Sequence, residues 1–312
     1  NTIDGGFGND TLVVQLAPGK SMPSFMVQTD AFFHTYNVFS SGLKISNFES
    51  VVFQQTLASG GAKLVGIEGN DLLSSSAGAD SLIGGGGSDT LRGSGGNDTL
   101  LGGAGEDSID AGSDNDRING GLGNDTLQAG SGNDTLADEG GNDSIDGGDG
   151  NDRLTSGAGN DTILGGAGTD TLAGGADNDS LDGGADNDRL DGGDGDDTLA
   201  AGTGNDTLGG AGADVFRFGD LPGSGARLGD FLSGTDMLEF SVWAFAGLSG
   251  DALAAGQFNL GAAVGTGAQF VYLGGSVGVL DWAANGTAGP LVKIATLAGH
   301  PALTAGDFHL VA

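Results

Sequence analysis

Aspartate returns every nine residues through the middle of this chain, sixteen times in succession. The positions are Asp71, Asp80, Asp89, Asp98, Asp107, Asp116, Asp125, Asp134, Asp143, Asp152, Asp161, Asp170, Asp179, Asp188, Asp197 and Asp206, and Asp214 follows after eight. Two residues after each stands an aliphatic side chain or phenylalanine, from Leu73, Leu82 and Leu91 through Leu199, Leu208 and Phe216. The unit is Gly-Gly-x-Gly-x-Asp-x-Leu-x, with clean copies at Gly102-Gly103-Ala104-Gly105-Glu106-Asp107 and Gly165-Gly166-Ala167-Gly168-Thr169-Asp170. A repeat this long decides the architecture before any local propensity is weighed. The scattered GxGxxG matches are by-products of it.

The residue types suggest how a unit folds. Six residues make a turn and three make a strand, with one apolar side chain inward and its neighbours outward. Two units complete a coil of eighteen residues, so units an even number apart stack about 4.8 Å apart. Glycine serves where the turn backbone takes positive φ. A core one leucine thick buries little area. At about 25 cal/mol per Å² it does not offset roughly 1–2 kcal/mol of backbone entropy per residue. Something further must hold the coil.

The array resembles the RTX nonapeptide repeat, the parallel β-roll of bacterial proteins exported by type I secretion. The resemblance covers residues 66–214, with one isolated unit at Gly5-Gly6-Phe7-Gly8-Asn9-Asp10. The fold class expected is all-β: a β-solenoid of 18 residues per coil, with a β-rich N-terminal extension over residues 1–65 and a C-terminal cap over residues 215–312.

The aspartates identify what holds the coil. Asp89 and Asp107 should lie one above the other, as should Asp107 and Asp125. Carboxylates about 5 Å apart repel by roughly 1 kcal/mol in water and by several times that in a partly buried turn. Such a ladder needs a cation, and carboxylate and carbonyl oxygens without His or Cys select Ca²⁺. Magnesium prefers a tighter octahedron and keeps its waters. The resemblance implies the same answer, each ion bridging two successive turns through an aspartate from each and backbone carbonyls. Residues 66–214 hold 31 acids and four arginines, a net of −27. Two stacks of eight aspartates leave fourteen gaps, and about 14 Ca²⁺ ions would nearly cancel that charge. All seventeen aspartates from Asp71 to Asp214 are thus candidate ligands, and the array should be unfolded in chelator.

Composition agrees with this reading. Glycine fills 66 of 312 positions, cysteine is absent, and the formal charge is −32. Without cysteine there is no disulfide scaffold. Without a three-residue glycine period there is no collagen helix. Ten cationic side chains make no basic face for nucleic acid. No run of 18 apolar residues would span a membrane. Low hydrophobicity with high charge is the signature of disorder, but here the order of residues makes disorder conditional on the absence of calcium.

Several turns are irregular. Asp114, Asp177 and Asp186 replace the third glycine, and aspartate tolerates left-handed geometry. Asp138-Glu139 replaces both leading glycines before Asp143, Ser75-Ser76 precedes Asp80, and Ile67-Glu68 interrupts the turn before Asp71. The residue after each aspartate points outward. One row reads Thr90, Ser108, Thr126, Ser144, Thr162, Ser180, Thr198, and the other Thr99, Arg117, Thr135, Arg153, Thr171, Arg189, Thr207. The 36-residue recurrence of arginine reads as tandem duplication, with Thr and Ser suited to solvent-facing strands. Arg92 and Asp110 should be neighbours one coil apart.

The flanks differ. Residues 1–65 carry four acids and apolar runs that read as strands at Thr11–Leu16, Phe25–Gln28, Phe32–Phe39 and Lys44–Phe53. A start at Asn1 without Met or signal peptide suggests a fragment of something longer. Beyond Val215-Phe216-Arg217-Phe218, strands are expected at Gln269–Leu273, Val277–Trp282 and Leu291–Thr296. This part resembles the C-terminal region of type I secreted RTX proteins, down to Ile294-Ala295-Thr296-Leu297-Ala298-Gly299. A solenoid also needs a cap for its open edges. The resemblance implies export by a type I ABC transporter and an extracellular or surface location on a Gram-negative bacterium.

No catalytic constellation emerges. His34, His300 and His309 are scattered, and there is no His-Glu-x-x-His. Gly274-Gly275-Ser276-Val277-Gly278 matches G-x-S-x-G, but between two strands rather than before a helix. Two parents fit: a large surface protein such as an S-layer subunit or adhesin, with self-association or cell-surface contact, or an exported protease, lipase or polysaccharide-modifying enzyme of which this is the C-terminal calcium-binding part. The number and regularity of the units favour the first.

Overall fold

In a computed structural model of the chain, repeat strands such as Thr99–Ala104 lie beside the strands eighteen residues away rather than beside their neighbours in sequence. Thr99 pairs with Ser81 on one side and Arg117 on the other. The structure describes residues 2–4, 11–15, 35–37, 44–46, 50–54, 63–66, 69–218, 226–232, 234–241, 258–260, 269–273, 278–283, 291–298, 303–304 and 307–311. The expected strand Phe25–Gln28, the isolated unit Gly5–Asp10, Ile67-Glu68, His34 and His300 lie outside them. The chain divides into two compact units, Asn1–Asp161 and Thr162–Ala312. Each is built on the all-β parallel solenoid expected from the repeat.

In the first unit one ladder stacks Leu72–Ser74, Thr90–Gly95, Ser108–Ser113, Thr126–Ser131 and Ser144–Asp149. The other stacks Lys63–Val65, Ser81–Gly86, Thr99–Ala104, Arg117–Leu122, Thr135–Ala137 and Arg153–Ala158. Thr11–Gln15 pairs in parallel with Ser50–Gln54, which pairs with Leu72–Ser74. Thr2–Asp4, Lys44–Ser46 and Thr35–Asn37 form a separate sheet. The run from Lys44 to Phe53 is therefore two strands in two sheets.

Burial alternates along each strand. In Thr126–Ser131, Leu127 and Ala129 face inward while Thr126 and Gln128 face solvent. Leu82, Leu91, Leu100, Ile109, Ile118 and their equivalents are essentially inaccessible. The second inward place, four residues after the aspartate, holds Gly, Ala or Ser in most units, such as Ala111 and Ser156, but Asp138 after Asp134 and Phe218 after Asp214. Most strands are six residues long rather than three, because pairing runs on through the glycines, as in Gly103 opposite Gly121. Without a Cβ, successive coils approach closely enough to continue the ladder. The outward rows align as expected, Thr90 beside Ser108 and Thr99 beside Arg117. Arg92 lies opposite Asp110, but no ion pair closes between them among the described residues.

In the second unit one ladder runs through Thr162–Ala167, Ser180–Ala185, Thr198–Ala200, Val215–Phe218, Met237–Ser241 and Phe308–Val311. The other runs through Thr171–Ala176, Arg189–Asp194, Thr207–Ala211, Ala226–Leu228 and Leu291–Leu297. It then turns antiparallel through Gly278–Ala283 and Gln269–Leu273. The middle strand starts one residue later than expected. These antiparallel strands flank the G-x-S-x-G segment, whose residues 274–277 lie outside the described set. Val215–Phe218 closes the nine-residue period but not the sheet. Phenylalanine takes over the core, with Phe218 stacked on Phe240 at 5.2 Å and Phe240 on Phe308 at 5.9 Å. Such pairs add about 0.5–1.5 kcal/mol beyond area burial. Across the same strands Glu239 accepts from Arg217 Nε at 2.5 Å and lies 3.1 Å from His309 Nδ1. Burial alone would raise the Glu239 carboxyl, but these two partners hold it below its ordinary value. No described helix is long and apolar enough to cross a membrane.

The third glycine of each unit has two backbone solutions. Asp114, Asp177 and Asp186 take φ of 78°, 76° and 77°, in the left-handed region, as expected of aspartate. Gly123 instead takes φ of 130°, and a Cβ there would come within 1.9 Å of the Gly105 carbonyl oxygen. Gly123→Ala should therefore lose about 1–3 kcal/mol, read as a lower thermal midpoint in millimolar calcium. Gly123→Asp, which can copy the Asp114 solution, should lose less.

Candidate metal centre

Each turn delivers its aspartate to the same place by the same device. The Asp89 side chain reaches back one coil, and its Oδ1 accepts the backbone amide of Asp71 at 2.7 Å. In the first unit this pattern links Asp71, Asp89, Asp107, Asp125, Asp143 and Asp161 in one ladder. Asp80, Asp98, Asp116, Asp134 and Asp152 form the other. In the second unit the ladders are Asp170, Asp188 and Asp206, and Asp179, Asp197 and Asp214. The eight-residue step to Asp214 is absorbed there by a longer bond of 3.1 Å. All seventeen aspartates singled out in the sequence are buried, none more than 5% exposed.

Only one oxygen of each carboxyl is used in this way. The Oδ2 atoms of Asp89, Asp98, Asp107, Asp116, Asp125, Asp134, Asp143, Asp188, Asp197 and Asp206 are buried and meet no hydrogen-bond donor. An unsatisfied buried polar atom costs about 1–3 kcal/mol, and more when charged. The first glycine of the unit leaves room around this oxygen. A Cβ on Gly84 would come within 2.2 Å of Asp89 Oδ2 and 2.7 Å of the Gly102 carbonyl oxygen. On Gly102 it would meet Asp107 Oδ2 at 2.3 Å and the Gly120 carbonyl oxygen at 2.5 Å. Where the first place is glycine, carboxylate and carbonyl oxygens thus border a niche, a hard-oxygen donor set of the kind Ca²⁺ takes. In that arrangement each aspartate would hold the ion through the oxygen its amide partner leaves over, and the ion would supply the charge the buried carboxylates lack.

The electrostatics point the same way. Burial pushes Asp89, Asp98 and Asp188 up from 3.8 to about 7, against the lowering effect of the amide each accepts, and the neighbouring aspartates add to the rise. Asp116, Asp143 and Asp214 are raised to about 6, again first by burial. Asp107, Asp125, Asp134, Asp197 and Asp206 move in the same direction.

Three features escaped the sequence reading. The residue before the aspartate forms a second, exposed ladder of opposite direction. Asn133 donates its amide to Asn115 Oδ1 at 2.6 Å, and Asn151 donates to Asn133 Oδ1 at 2.8 Å. The recurrent Asn-Asp pairs were the available signal. Asp236 continues the second unit's ladder, with Oδ1 accepting from Asp214 at 3.2 Å. Its Asp-Met-Leu spacing matches the repeat, but it lies 22 residues on. Asp138 is buried, although four-after-aspartate is a glycine place, and its ligand oxygen lies within 4.8 Å of those of Asp125 and Asp143.

Fold and site together define a calcium-binding β-roll. The family model for the RTX calcium-binding nonapeptide repeat matches residues 1–13 and, in overlapping copies, 65–220. The chain belongs to that family. A search of the curated proteins returned no match.

The raised carboxyls set a sign for the pH dependence. Between pH 3.8 and about 7 the folded, metal-free chain binds more protons than the unfolded one. Its stability is therefore fullest below the ordinary aspartate value and falls as pH rises toward 7. Calcium must displace those protons, so its affinity rises over the same window. Calorimetric titration at about pH 5.5 and 7.5 should show proton release and tighter calcium binding at the higher pH. Equal affinity at both would count against the buried carboxylates as ligands.

Proposed function

We propose that this chain is an extracellular calcium-binding β-roll that folds as it takes up Ca²⁺ after type I secretion, and that it forms a structural part of a large surface protein such as an S-layer subunit or adhesin. The observation that carries the reading is the series of buried Oδ2 atoms with no donor, several of them, such as those of Asp89, Asp98, Asp107 and Asp125, beside a glycine-walled niche. The seventeen aspartates from Asp71 to Asp214 are the proposed ligands, with about fourteen ions between the stacked turns. In this reading residues 66–214 are the calcium roll, residues 1–65 its β-rich flank, and residues 215–312 the cap and secretion region.

Support for folding after export comes from the energetics of the ladder. Without ions the roll must bury carboxylates against their preference, and its apolar core is one side chain thick. A ligand that binds only the folded state adds about 2.7 kcal/mol per site at a hundred times its dissociation constant. Several sites acting together convert an unstable coil into a stable one. A calcium-poor cytosol keeps the chain unfolded for a transporter, and a calcium-rich exterior closes it. The regular outward rows of Thr, Ser and Arg favour a structural surface, and the matched family model is that of a calcium-binding repeat.

Far-UV circular dichroism and thermal unfolding, in chelator and in millimolar calcium, test this directly. The β-signal and a cooperative transition should appear only with calcium. A chelated sample with the same signal and the same midpoint would sink the proposal. Asp107→Asn retains the amide-accepting oxygen but removes the charge, and it should lower the calcium bound per chain and shift the folding midpoint to higher calcium.

A further inference from the structure

Asp138 occupies a place that the repeat reserves for small residues. The equivalent positions are Gly84, Gly102, Gly120, Ala111, Ala129 and Ser156, and they face the interior. The strand Thr135–Ala137 stops just before it, where the regular strand Arg117–Leu122 continues. Ladder pairing resumes with the bridge from Leu122 to Gly140. The side chain remains inside, 6% exposed. Its Oδ1 accepts the amides of Gly121 at 2.6 Å and Glu139 at 2.8 Å. Its Oδ2 is buried and meets no donor.

That free oxygen points at the ladder. A Cβ on Gly120 would come within 2.5 Å of Oδ2 of both Asp125 and Asp138, so the two atoms share the niche the glycine leaves. Asp143 completes the group, with one ligand oxygen from each of the three residues within 4.8 Å of the others. Asp125 and Asp143 each commit Oδ1 to an amide one coil back and keep Oδ2 without a donor. Among the described residues this is the only such trio.

We infer that Asp125, Asp138 and Asp143 hold one hard cation in a three-carboxylate site that binds more tightly than the regular turns around it. The inference rests on the calcium reading of the ladder and deepens it. Affinity of oxygen sites rises with the number of charged ligands. Here three carboxylates converge in a buried niche where the regular turns gather fewer, and their mutual repulsion is relieved only by positive charge. A trivalent lanthanide would match the site's charge, which makes Tb³⁺ a probe for it.

The test uses the full chain, stripped of metal, with Asp138→Asn as the isosteric variant and Asp138→Gly as the variant that restores the regular repeat residue. Calcium competition against a chromophoric chelator should resolve one ion bound at least about tenfold more tightly than the rest in the wild type. Both variants should lose that ion's advantage and retain the remaining uptake and the calcium-induced β-signal. One equivalent of Tb³⁺ should show a longer luminescence lifetime in water on the wild type than on either variant, since a third carboxylate displaces water from the ion. A tight ion that survives in both variants overturns the inference, as does calcium uptake in the wild type with no distinct tight class. A gain in affinity on removing Asp138 overturns it too, because the carboxyl would then be sharing a proton with Asp125 or Asp143. A wild-type chain that takes up no calcium overturns the ladder reading itself.

Discussion

A carboxylate that spends one oxygen on a neighbouring coil's amide and has no donor for the other is the interaction on which the rest of this structure depends. The amide bond places every aspartate in register, 2.7–2.9 Å from its partner through the regular turns. It also fixes which oxygen is left over. Because that oxygen is buried, the chain cannot rely on water to solvate it, and burial raises the carboxyls instead. Glycine then acts twice. At the first place of the unit it keeps a Cβ out of the carboxylate's niche, and at the third it lets the backbone pass the carbonyl of the coil before.

The second unit shows two ways to hold the same kind of parallel coil. Through Leu208 the inward residues are aliphatic and the turns carry aspartates. From Phe216 onward the inward residues include Phe216, Phe218, Phe240 and Phe308, and aromatic stacking is added to the aspartate ladder, which continues through Asp214 to Asp236. The outward face changes with it. Arg217, Glu239 and His309 line up on three adjacent strands, and the one buried acid among them has two hydrogen-bonding partners. The aromatic core and the paired acid add to what holds these coils, beside the aspartates that continue through Asp214 and Asp236.

Much of this was legible in the sequence because the period is strict. Nine-residue spacing dictated the eighteen-residue register, the inward leucines and the stacking of the aspartates. The left-handed backbone of Asp114, Asp177 and Asp186 followed from their replacing glycine. What escaped has physical causes. Strand length was underestimated because glycine reads as turn, whereas Gly103 and Gly121 pair as strand residues. The asparagine ladder escaped because an amide side chain beside an aspartate looks like a spare polar residue until its direction is known. Asp138 read as a defect in the repeat, since periodicity records that a glycine is missing and not where the replacement points. Asp236 fell outside the period because the segment before it is longer by four residues.

The direction of the aspartate bonds gives the roll a grain. A coil's amide is satisfied by a carboxylate that lies about eighteen residues later in the chain, so each coil is finished by its successor and not by its predecessor. Such a series has no natural end in the repeat itself, and Asp236 provides one. Its Oδ1 takes the amide of Asp214, its Oδ2 takes the amide of Leu232, and its own amide donates to the Leu232 carbonyl. The last carboxylate is thereby folded back on its own loop. The propagation of the ladder is vectorial, and at Asp236 it turns back through two local bonds to Leu232, while the sheet itself runs on to Phe308–Val311.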